Sequence, residues 1–392
     1  MERSYDVVIV GGGVMGCSVA YWLAANPDFT GRIAIIERDP TYATATTALS
    51  VGSIRQQFST PENVQMSLFG AEFLAGVGER LAVDGDRPSV SLVSGGYLFL
   101  ATEAGRAVLE ANHRIQRPLG AENVLLSAAE LAERFPWLNT EGLAMGSLGL
   151  RHEGWLDPYG LLHAFRRKAM SLGAAYLKDR VVAMRREGGR IAAVTLAEGG
   201  EIACGMVIDA AGPQAGAVAA LAGIELPVRP RKRFVFVVDC RTPIACNQLV
   251  IDPSGVYFRP EGRNYLCGLS PPEDQDPDCE DFTIDYSWFD DEVWPVLAHR
   301  VPAFAELKML RAWAGLYEYN TFDQNAILGP HPEVANFHFI NGFSGHGVQQ
   351  SPAAGRAVSE LVIYGGFRTL DLGRFSFARI AANAPIRELN VV

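Results

Sequence analysis

The sequence predicts an α/β fold, α+β overall, in which a nucleotide-type parallel sheet is interrupted by a second sheet of mixed and antiparallel strands. Three observations predict it. A strand, glycine turn, helix and strand follow one another over 5–36, three strand-like runs end at Asp209, and a strand, glycine turn and helix occupy 337–363. Because strands of another pattern lie between these segments, we expect the nucleotide-type sheet to form from separated parts of the chain.

Composition excludes several classes of function. A chain of 392 residues with 48% hydrophobic and 20% charged residues is too long for one ordinary core and is not a disordered chain. The net charge of −10 argues against a polyanionic partner, so we expect no nucleic acid partner. The cysteines form no C-x-x-C pair, and no apolar stretch reaches the ~18 residues of a membrane helix. We therefore expect a soluble, cytoplasmic protein, with peripheral attachment to a membrane left open.

The first segment carries the most specific motif. Gly11-Gly12-Gly13-Val14-Met15-Gly16 is a G-x-G-x-x-G run between a buried strand and a helix, and Glu37 ends the next strand. Gly11 permits the tight turn, Gly13 lets the backbone approach a pyrophosphate, and Gly16 lets helix and strand pack closely. The helix N-terminus offers free N–H groups, and Glu37 can accept from a ribose hydroxyl. The unit predicts dinucleotide binding without separating FAD from NAD.

The following segments are predicted from spacing and capping residues. Helical spacing over 61–81 predicts one long helix, and alternation over 91–101 predicts a strand. The capping-box spacing from Ser127 to Glu130 predicts the start of a short helix. Asp157-Pro158 is an N-cap followed by proline at the first helical position, which predicts another.

A β-meander and a second sheet are predicted next. Three strand-like runs, 175–186, 190–196 and 201–209, are joined by Gly188-Gly189 and Gly199-Gly200, dipeptides suited to tight hairpins. The pattern then indicates further strands and two helices. These are strands over 231–239, 255–259, 264–269 and 337–341, and helices over 288–299 and 352–363.

These elements predict two domains, each assembled from separate segments. The cofactor-binding domain is predicted to take 1–85, 150–225 and 320–392. The second domain, which would cover the substrate, is predicted to take 86–149 and 226–319.

Further runs resemble motifs of a known flavoprotein family. Val207-Ile208-Asp209-Ala210-Ala211-Gly212 resembles its second strand motif, and Gly342-Phe343-Ser344-Gly345-His346-Gly347 resembles its flavin-contacting turn. The family is the D-amino-acid oxidase and sarcosine oxidase (DAO) superfamily, and the resemblance spans nearly the whole chain. Runs at 230–233, 313–325 and 347–350 are similar to a mitochondrial branch of FAD-dependent oxidoreductases associated with assembly of respiratory complex I.

The resemblance implies FAD rather than NAD as cofactor. It also implies a glutathione-reductase-like Rossmann domain, with an inserted mixed or antiparallel sheet covering the flavin ring. The family pattern, carried over position by position, implies cofactor contacts along the whole groove. These are Gly11, Gly13, Val14, Met15, Gly16, Glu37, Arg38, Thr46, Thr47, Leu49, Ser50, Val51, Val182, Ala211, Gly212, Gly345, His346, Gly347, Val348 and Gln349.

The resemblance also implies a substrate site. Arg55 matches a carboxylate-binding arginine, whose planar fork suits a bidentate carboxylate, although a structural ion pair would also explain an arginine there. Tyr257 and Tyr317 match aromatic positions of the amine pocket, with core filler as the alternative. His346 lies between two flavin-side glycines, and Gln349 lies at the second carboxylate-binding position.

Three departures from the family pattern limit what it implies. Gly315 stands where monomeric sarcosine oxidase carries its flavin on cysteine, and no histidine lies in 41–55, so FAD should be non-covalent. Gln349 replaces a lysine, which leaves the substrate open. Leu266 aligns with a lysine thought to activate oxygen, so a dehydrogenase is as well supported as an oxidase.

The sequence also contains two oppositely charged runs and several histidines. The basic run 229–233 is expected to be mostly solvated, with one or two side chains turned toward the pocket or an acidic partner. The acidic run 273–281 is expected to be a mobile loop. The histidines show no metal-ligand spacing, so we predict no metal.

The leading hypothesis is an FAD-dependent oxidoreductase of an amino acid or N-alkyl amino acid. Oxygen, a quinone or an electron-transfer protein would then accept the electrons. Two alternatives stay open: a flavin-containing assembly or interaction factor for a respiratory complex, and a 2-hydroxy-acid dehydrogenase on the same fold.

Overall fold

The computed structural model describes residues 4–389. Strands dominate the chain, and most are short and buried. In chain order they are β1 (Ser4–Val10), β2 (Ile33–Glu37), β3 (Ser53–Ile54), β4 (Tyr97–Ala101), β5 (Asn123–Ser127), β6 (Met145–Gly149), β7 (Gly154–Trp155), β8 (Ala175–Lys178), β9 (Val181–Glu187), β10 (Arg190–Leu196), β11 (Gly200–Asp209), β12 (Val228–Cys240), β13 (Leu249–Ile251), β14 (Tyr257–Glu261), β15 (Asn264–Gly268), β16 (Leu307–Asn320), β17 (Ile327–Pro330) and β18 (Phe337–Asn341).

Helices cover the first sheet and connect the two sheets. They are α1 (Val14–Ala25), α2 (Thr46–Leu49), α3 (Pro61–Ala75), α4 (Val77–Arg80), α5 (Arg106–Gln116), α6 (Ala128–Arg134), α7 (Pro158–Ser171), α8 (Ala215–Leu221), α9 (Trp294–Arg300), α10 (Gly347–Tyr364) and α11 (Ala378–Ala381). Within the described range, 4–389, no helix is long and apolar enough to cross a membrane.

The first large sheet has the order β17-β18-β11-β1-β2-β8, and the hairpin strands β9 and β10 pair beside β11. Strands β18, β11, β1, β2 and β8 are mutually parallel. Parallel strands are buried on both faces, which explains the continuous apolar runs at Val7–Val10 and Ile33–Ile36. Helices α1, α7 and α10 pack together on one face. Because β1, β2 and β11 are parallel, their carboxyl ends meet at one edge.

The second large sheet has the order β16-β12-β15-β14-β13-β4-β6-β5 and is antiparallel except at β13 and β4. Its two longest strands, β12 and β16, pair along almost their full length. The short pair β3 and β7 lies between the two large sheets. The α/β class with mixed sheets is thus confirmed, whereas the domain boundaries stay a prediction.

Several predicted elements are shifted or broken, each for a local reason. The helix predicted over 61–81 ends at Ala75 and resumes as α4, because Gly76 leaves the helical region and closes a tighter turn with Phe73. The strand predicted over 91–101 is confined to β4, since Ser91 and Gly96 have positive φ.

Two further predicted elements divide in the same way. The run 175–186 divides at Asp179, where the chain leaves the parallel sheet and enters the hairpin. The helix predicted over 288–299 begins with a π-helical turn, Phe289–Val293, and only then becomes α9.

The last helix begins earlier than predicted. Helix α10 starts at Gly347 rather than at Pro352, so Pro352 lies inside it. A proline inside a helix leaves the carbonyl four residues earlier without its N–H partner. Here the Ser351 hydroxyl donates to the Val348 carbonyl at 2.8 Å. This replacement keeps the helix continuous and places its N-terminus directly after the glycine turn 342–347.

Candidate active site

One continuous groove crosses the molecule where the two large sheets meet. It consists of three openings that share residues. The first, which we call the nucleotide opening, shares Glu37 and Ala211 with the second, which we call the middle opening. The middle opening in turn shares Thr46 and Gly345 with a third cavity. We call the third one the tyrosine cavity, after Tyr97, Tyr257 and Tyr317 in its wall. Every predicted site residue except Gly16 lines one of the three.

The G-x-G-x-x-G turn forms one wall of the groove. Gly11 has φ +104°, and a Cβ atom there would overlap the Ala210 carbonyl. Gly16 lies behind the turn, where a Cβ atom would overlap the Gly11 carbonyl oxygen. Gly13 differs, since the nearest atom to its Cβ position is Thr47 Oγ1 at 3.6 Å. Gly11 and Gly16 thus serve the fold, and Gly13 leaves the groove open at the start of α1.

Glu37 closes the nucleotide end. One carboxylate oxygen accepts from the Gly12 N–H at 2.8 Å, and the other accepts from the Asp39 N–H at 2.8 Å. Each oxygen can accept a further hydrogen bond. Glu37 is therefore fixed in place and can also accept from ribose hydroxyls.

The segment 46–51 forms the middle of the groove. Thr46 Oγ1 donates to the Leu316 carbonyl at 2.6 Å, and Thr47 Oγ1 accepts from the Val14 N–H at 3.3 Å. The first bond ties α2 to β16, and the second ties it to the start of α1. The segment predicted to follow the cofactor is therefore held by both halves of the molecule.

The glycine turn and the start of α10 form the opposite wall. Ser344 has φ +48° and Gly345 has φ +102°, and the Tyr317 ring fills the place where a Gly345 Cβ atom would lie. Residues 345–349 line the middle opening and the tyrosine cavity. The N-terminus of α10 supplies partial positive charge there. A bare glycine cradle at one helix N-terminus, Glu37, and a second helix N-terminus together fit FAD.

Two buried carboxyl groups lie behind this turn. Glu318 lines the middle opening and accepts from the Gly342 N–H at 3.3 Å, and burial raises the pKa of its carboxyl to about 8. Asp209 accepts from the Ala211 N–H with one oxygen, while the other has no partner among residues 4–389. Burial raises the pKa of Asp209 well above its ordinary value, and Glu318 adds to the shift. Burial therefore favours the protonated form of both carboxyls.

Arg55 lies in the wall of the tyrosine cavity and is only 5% exposed. Its backbone N–H donates to Gln349 Oε1 at 2.6 Å, and its Nη1 donates to the Gln57 carbonyl at 3.0 Å. The guanidinium carbon lies 4.2 Å from the Phe58 ring centroid and 5.3 Å from that of Phe99. The side-chain oxygen of Gln349 thus anchors the Arg55 backbone, and the side-chain nitrogen of Gln349 can donate to a ligand.

Three tyrosines from three strands of the second sheet surround the cavity. Tyr97 lies on β4, Tyr257 on β14 and Tyr317 on β16. Burial raises the pKa of Tyr97 to about 12 and raises the pKa of Tyr257 and Tyr317 as well. All three are neutral hydroxyl donors at neutral pH. Tyr97 was not predicted, because it comes from a strand with no motif of its own.

His346 lies at the boundary between cavity and turn. It is 6% exposed, and its Nε2 has no hydrogen-bond partner within the described part of the chain. Burial, assisted by the Arg55 guanidinium, lowers the pKa of His346 to about 3. The ring is therefore neutral at neutral pH. It can accept or donate a hydrogen bond but carries no charge toward a ligand.

Arg233 is a second buried arginine in the cavity wall that sequence reasoning did not single out. It forms a bidentate pair with Asp276 at 2.8 and 2.7 Å, and the two side chains are 9% and 5% exposed. Its guanidinium carbon lies 4.9 Å from the Tyr317 ring centroid. The signal available in the sequence was the basic run itself, which gives no indication of which side chain turns inward.

The pairing of the two charged runs corrects a prediction. The basic run was expected to be mostly solvated, with only one or two side chains turned toward the pocket or an acidic partner. Arg231 pairs with Asp278 at 3.2 Å, and Lys232 pairs with Asp281 at 2.9 Å. With Arg233, these pairs fasten the acidic loop to β12. The two runs neutralise each other because the fold brings strand and loop together.

Comparison with known proteins agrees with this geometry. The chain matches the model of the DAO family, described as FAD dependent oxidoreductase, over residues 6–361. It is 48% identical to "FAD-dependent oxidoreductase domain-containing protein 1" of Xenopus laevis, over 100% of this chain and 85% of that protein.

Two solved structures share the architecture. L-proline dehydrogenase from P. horikoshii has a TM-score of 0.87 at 26% identity, with 98% of this chain and 100% of that chain covered. Glycine oxidase from Geobacillus kaustophilus has a TM-score of 0.81 at 25% identity, with 96% and 99% covered. With a groove suited to FAD and a family match over most of its length, the chain belongs to the DAO family of FAD-dependent oxidoreductases.

Proposed function

We propose that the protein oxidises the C–N bond of an amino acid or N-alkyl amino acid. The observation that carries the proposal is the tyrosine cavity. A buried arginine, Arg55, lies there among three tyrosines, and the cavity opens into the cofactor groove at the N-terminus of α10. An arginine fork suits a substrate carboxylate, and aromatic rings suit the amine and its alkyl group.

The residues of the cavity would divide the work as follows. Arg55 holds the carboxylate, and the Gln349 amide nitrogen supports it. The hydroxyls of Tyr257 and Tyr317 face the amine, and the uncharged His346 can form a hydrogen bond with it. FAD, when bound, accepts a hydride from the substrate carbon. What the chain contributes is orientation of that carbon and exclusion of water.

The reaction balances without a further reactant from the protein. The C–H bond breaks with its electron pair, the nitrogen lone pair forms the C=N bond, and water then hydrolyses the imine to the carbonyl compound of the oxidised carbon and an amine. Reoxidation uses oxygen, a quinone or an electron-transfer protein. No cysteine of residues 4–389 lines the three openings, which supports a non-covalent FAD.

The names of relatives support the same class of substrate. L-proline dehydrogenase and glycine oxidase are both named for amino acids, and both share this fold. The cytoplasmic location remains a prediction.

Anaerobic reduction of the bound flavin tests the proposal directly. We expect absorbance near ~450 nm to bleach rapidly with one class among N-methyl, N-carboxymethyl, cyclic, D- and L-amino acids. A panel of 2-hydroxy acids serves as the matched control for carboxylates that lack nitrogen. Bleaching by 2-hydroxy acids alone would replace the proposal with a hydroxy-acid dehydrogenase. Bleaching by dithionite alone would favour an assembly or interaction factor.

A further inference from the structure

A buried carboxylate lies beside the chain segment that carries the arginine of the tyrosine cavity. Glu153, which precedes β7, is 3% exposed. One of its carboxylate oxygens accepts from the Gln56 N–H at 2.7 Å, and the other accepts from Gln57 Nε2 at 2.9 Å. Gln57 Nε2 also donates to the Tyr97 carbonyl at 3.2 Å. Glu153 thus fixes the two residues that follow Arg55 in the chain.

The fold makes room for this carboxylate. A Cβ atom at Gly149, on β6, would overlap the Glu153 carboxyl group. Strand β7 pairs with β3, so Glu153 and Arg55 flank the same two-stranded pair. The carboxylate is therefore not a surface charge that happens to approach the cavity. It is built into the wall that carries Arg55.

Within residues 4–389, the ionisable groups coupled to Glu153 are Arg55 and Tyr97. Arg55 acts on it electrostatically, and Tyr97 reaches it through a backbone hydrogen bond and through its phenol. His346, across Arg55, is uncharged because its pKa is lowered to about 3. Burial raises the pKa of Glu153 to about 7, although its hydrogen bonds and Arg55 oppose the shift. Since the pKa of Tyr97 is about 12, Glu153 is the group of this cluster that titrates near neutrality.

We propose that Glu153 is a positioning residue for Arg55 and that a negative charge on Glu153 weakens the hold of Arg55 on a substrate carboxylate. The inference rests on the proposed function, because it takes Arg55 to be the carboxylate anchor. A protonated Glu153 adds no negative charge near the guanidinium. An ionised Glu153 places a second anion behind the same guanidinium in a region of low dielectric. Substrate binding therefore weakens as the pH rises through neutrality.

The first test is calorimetric titration of the FAD-loaded protein with acetate, which is ionised throughout and has no amine to titrate. Between about pH 6 and about pH 8.5 we expect the acetate Kd of the wild type to rise about tenfold. Glu153→Gln should bind as the wild type does at low pH and should show no such rise. Glu62→Gln changes a buried carboxyl of α3 that pairs with Arg374 outside the three openings, and it should keep the wild-type rise. An equal rise in Glu153→Gln and the wild type would overturn the inference.

Arg55→Met separates this outcome from failure of the proposed function. It should abolish acetate binding at both pH values. Unchanged acetate binding in Arg55→Met, or none in the wild type, would remove Arg55 as the anchor and so overturn both proposals. If Arg55→Met loses acetate binding while the acetate Kd of Glu153→Gln still rises with pH as in the wild type, only the role of Glu153 would be overturned.

A second measurement needs no variant and so guards against a Glu153→Gln protein that does not fold. If Glu153 ionisation opposes carboxylate binding, then carboxylate binding must favour protonation of Glu153. Near pH 7 the wild type should take up a fraction of a proton for each acetate bound, seen as a dependence of the binding enthalpy on the ionisation enthalpy of the buffer. Binding enthalpies that do not depend on the buffer would contradict the proposal.

Discussion

The two ends of the groove are built from residues of very different separation along the chain. At the nucleotide end, Gly11, Gly13 and Gly16 lie within one turn, and Glu37 follows on the adjacent strand. At the other end, the tyrosine cavity takes Arg55, Tyr97, Arg233, Tyr257 and Tyr317 from five distant segments. The first end depends on bare backbone and helix geometry, and the second depends on side chains that meet only when both sheets have formed.

The two ends should therefore differ in which substitutions they tolerate. Backbone sites fail when a Cβ atom is added, whatever the chemistry of the side chain. Side-chain sites fail when charge or shape is lost, while the fold persists. Substitutions should therefore separate the two ends by their effects on cofactor content and on turnover.

The largest effect is expected from Gly16→Ala. Its Cβ atom would overlap the Gly11 carbonyl oxygen, a backbone atom that cannot move without opening the turn. We expect protein that is largely insoluble or free of flavin, measured as the ratio of flavin to protein after purification. Gly13→Ala is the matched control, because φ −66° suits alanine and the space is open. It should fold normally but bind FAD more weakly. Full FAD content with an unchanged Tm in Gly16→Ala would refute this account.

Arg55→Met tests the tyrosine cavity. Loss of a buried charge that pairs with substrate costs roughly 2–5 kcal/mol, so kcat/KM for flavin reduction should fall about 30- to 5,000-fold. FAD content should stay normal, unlike in Gly16→Ala. Arg55→Lys should recover only part of the loss, because a lysine lacks the planar fork.

Arg231→Met provides the control for Arg55→Met, since Arg231 pairs with an exposed aspartate and does not line the cavity. Its kcat/KM should match that of the wild type. Equal losses in the two variants would show that the effect comes from general charge rather than from the site.

The contrast between the two ends also explains what could be predicted from sequence. The nucleotide motif, the cap at Asp157 and the capping box at Ser127 each depend on residues within a few positions, and the structure has all three elements. Fold class and cofactor followed from such local patterns together with the family resemblance. The resemblance also proposed Arg55 and Tyr317, which line the cavity.

What could not be predicted depends on contacts between distant segments. Arg233 and Asp276 lie 43 residues apart, and nothing local shows that they pair. Glu153 and Tyr97 have no motif, and only the pairing of β3 with β7 brings Glu153 to Arg55. The break at Gly76 was missed because apolar spacing continues across it.

The buried Arg233–Asp276 pair stabilises the wall of the tyrosine cavity. Asp276→Asn would leave a buried guanidinium without its counter-charge, a loss of about 3 kcal/mol in the free energy of unfolding. We expect a clearly lower Tm by calorimetry. Asp278→Asn, in the same loop but with a half-exposed carboxylate, should change Tm little. Equal shifts in the two variants would mean that the loop as a whole, not the buried pair, stabilises the cavity.

The last effect, a pH dependence rather than a loss at fixed pH, is expected at Glu318, where the two ends meet. Its folded-state pKa of about 8 lies above the ordinary value of 4.5, so the favourable contribution of the protonated form is complete below about 4.5 and is lost as the pH rises through 8. The wild type should therefore lose up to ~5 kcal/mol in the free energy of unfolding across this window relative to Glu318→Gln, which cannot ionise. Thermal unfolding at several pH values measures the difference in Tm between the two proteins. A difference that is the same at pH 5 and above pH 8 would show that Glu318 keeps its ordinary pKa. In that case the middle of the groove would carry a negative charge beside the start of α10, where the partial positive charge is proposed to act on the cofactor.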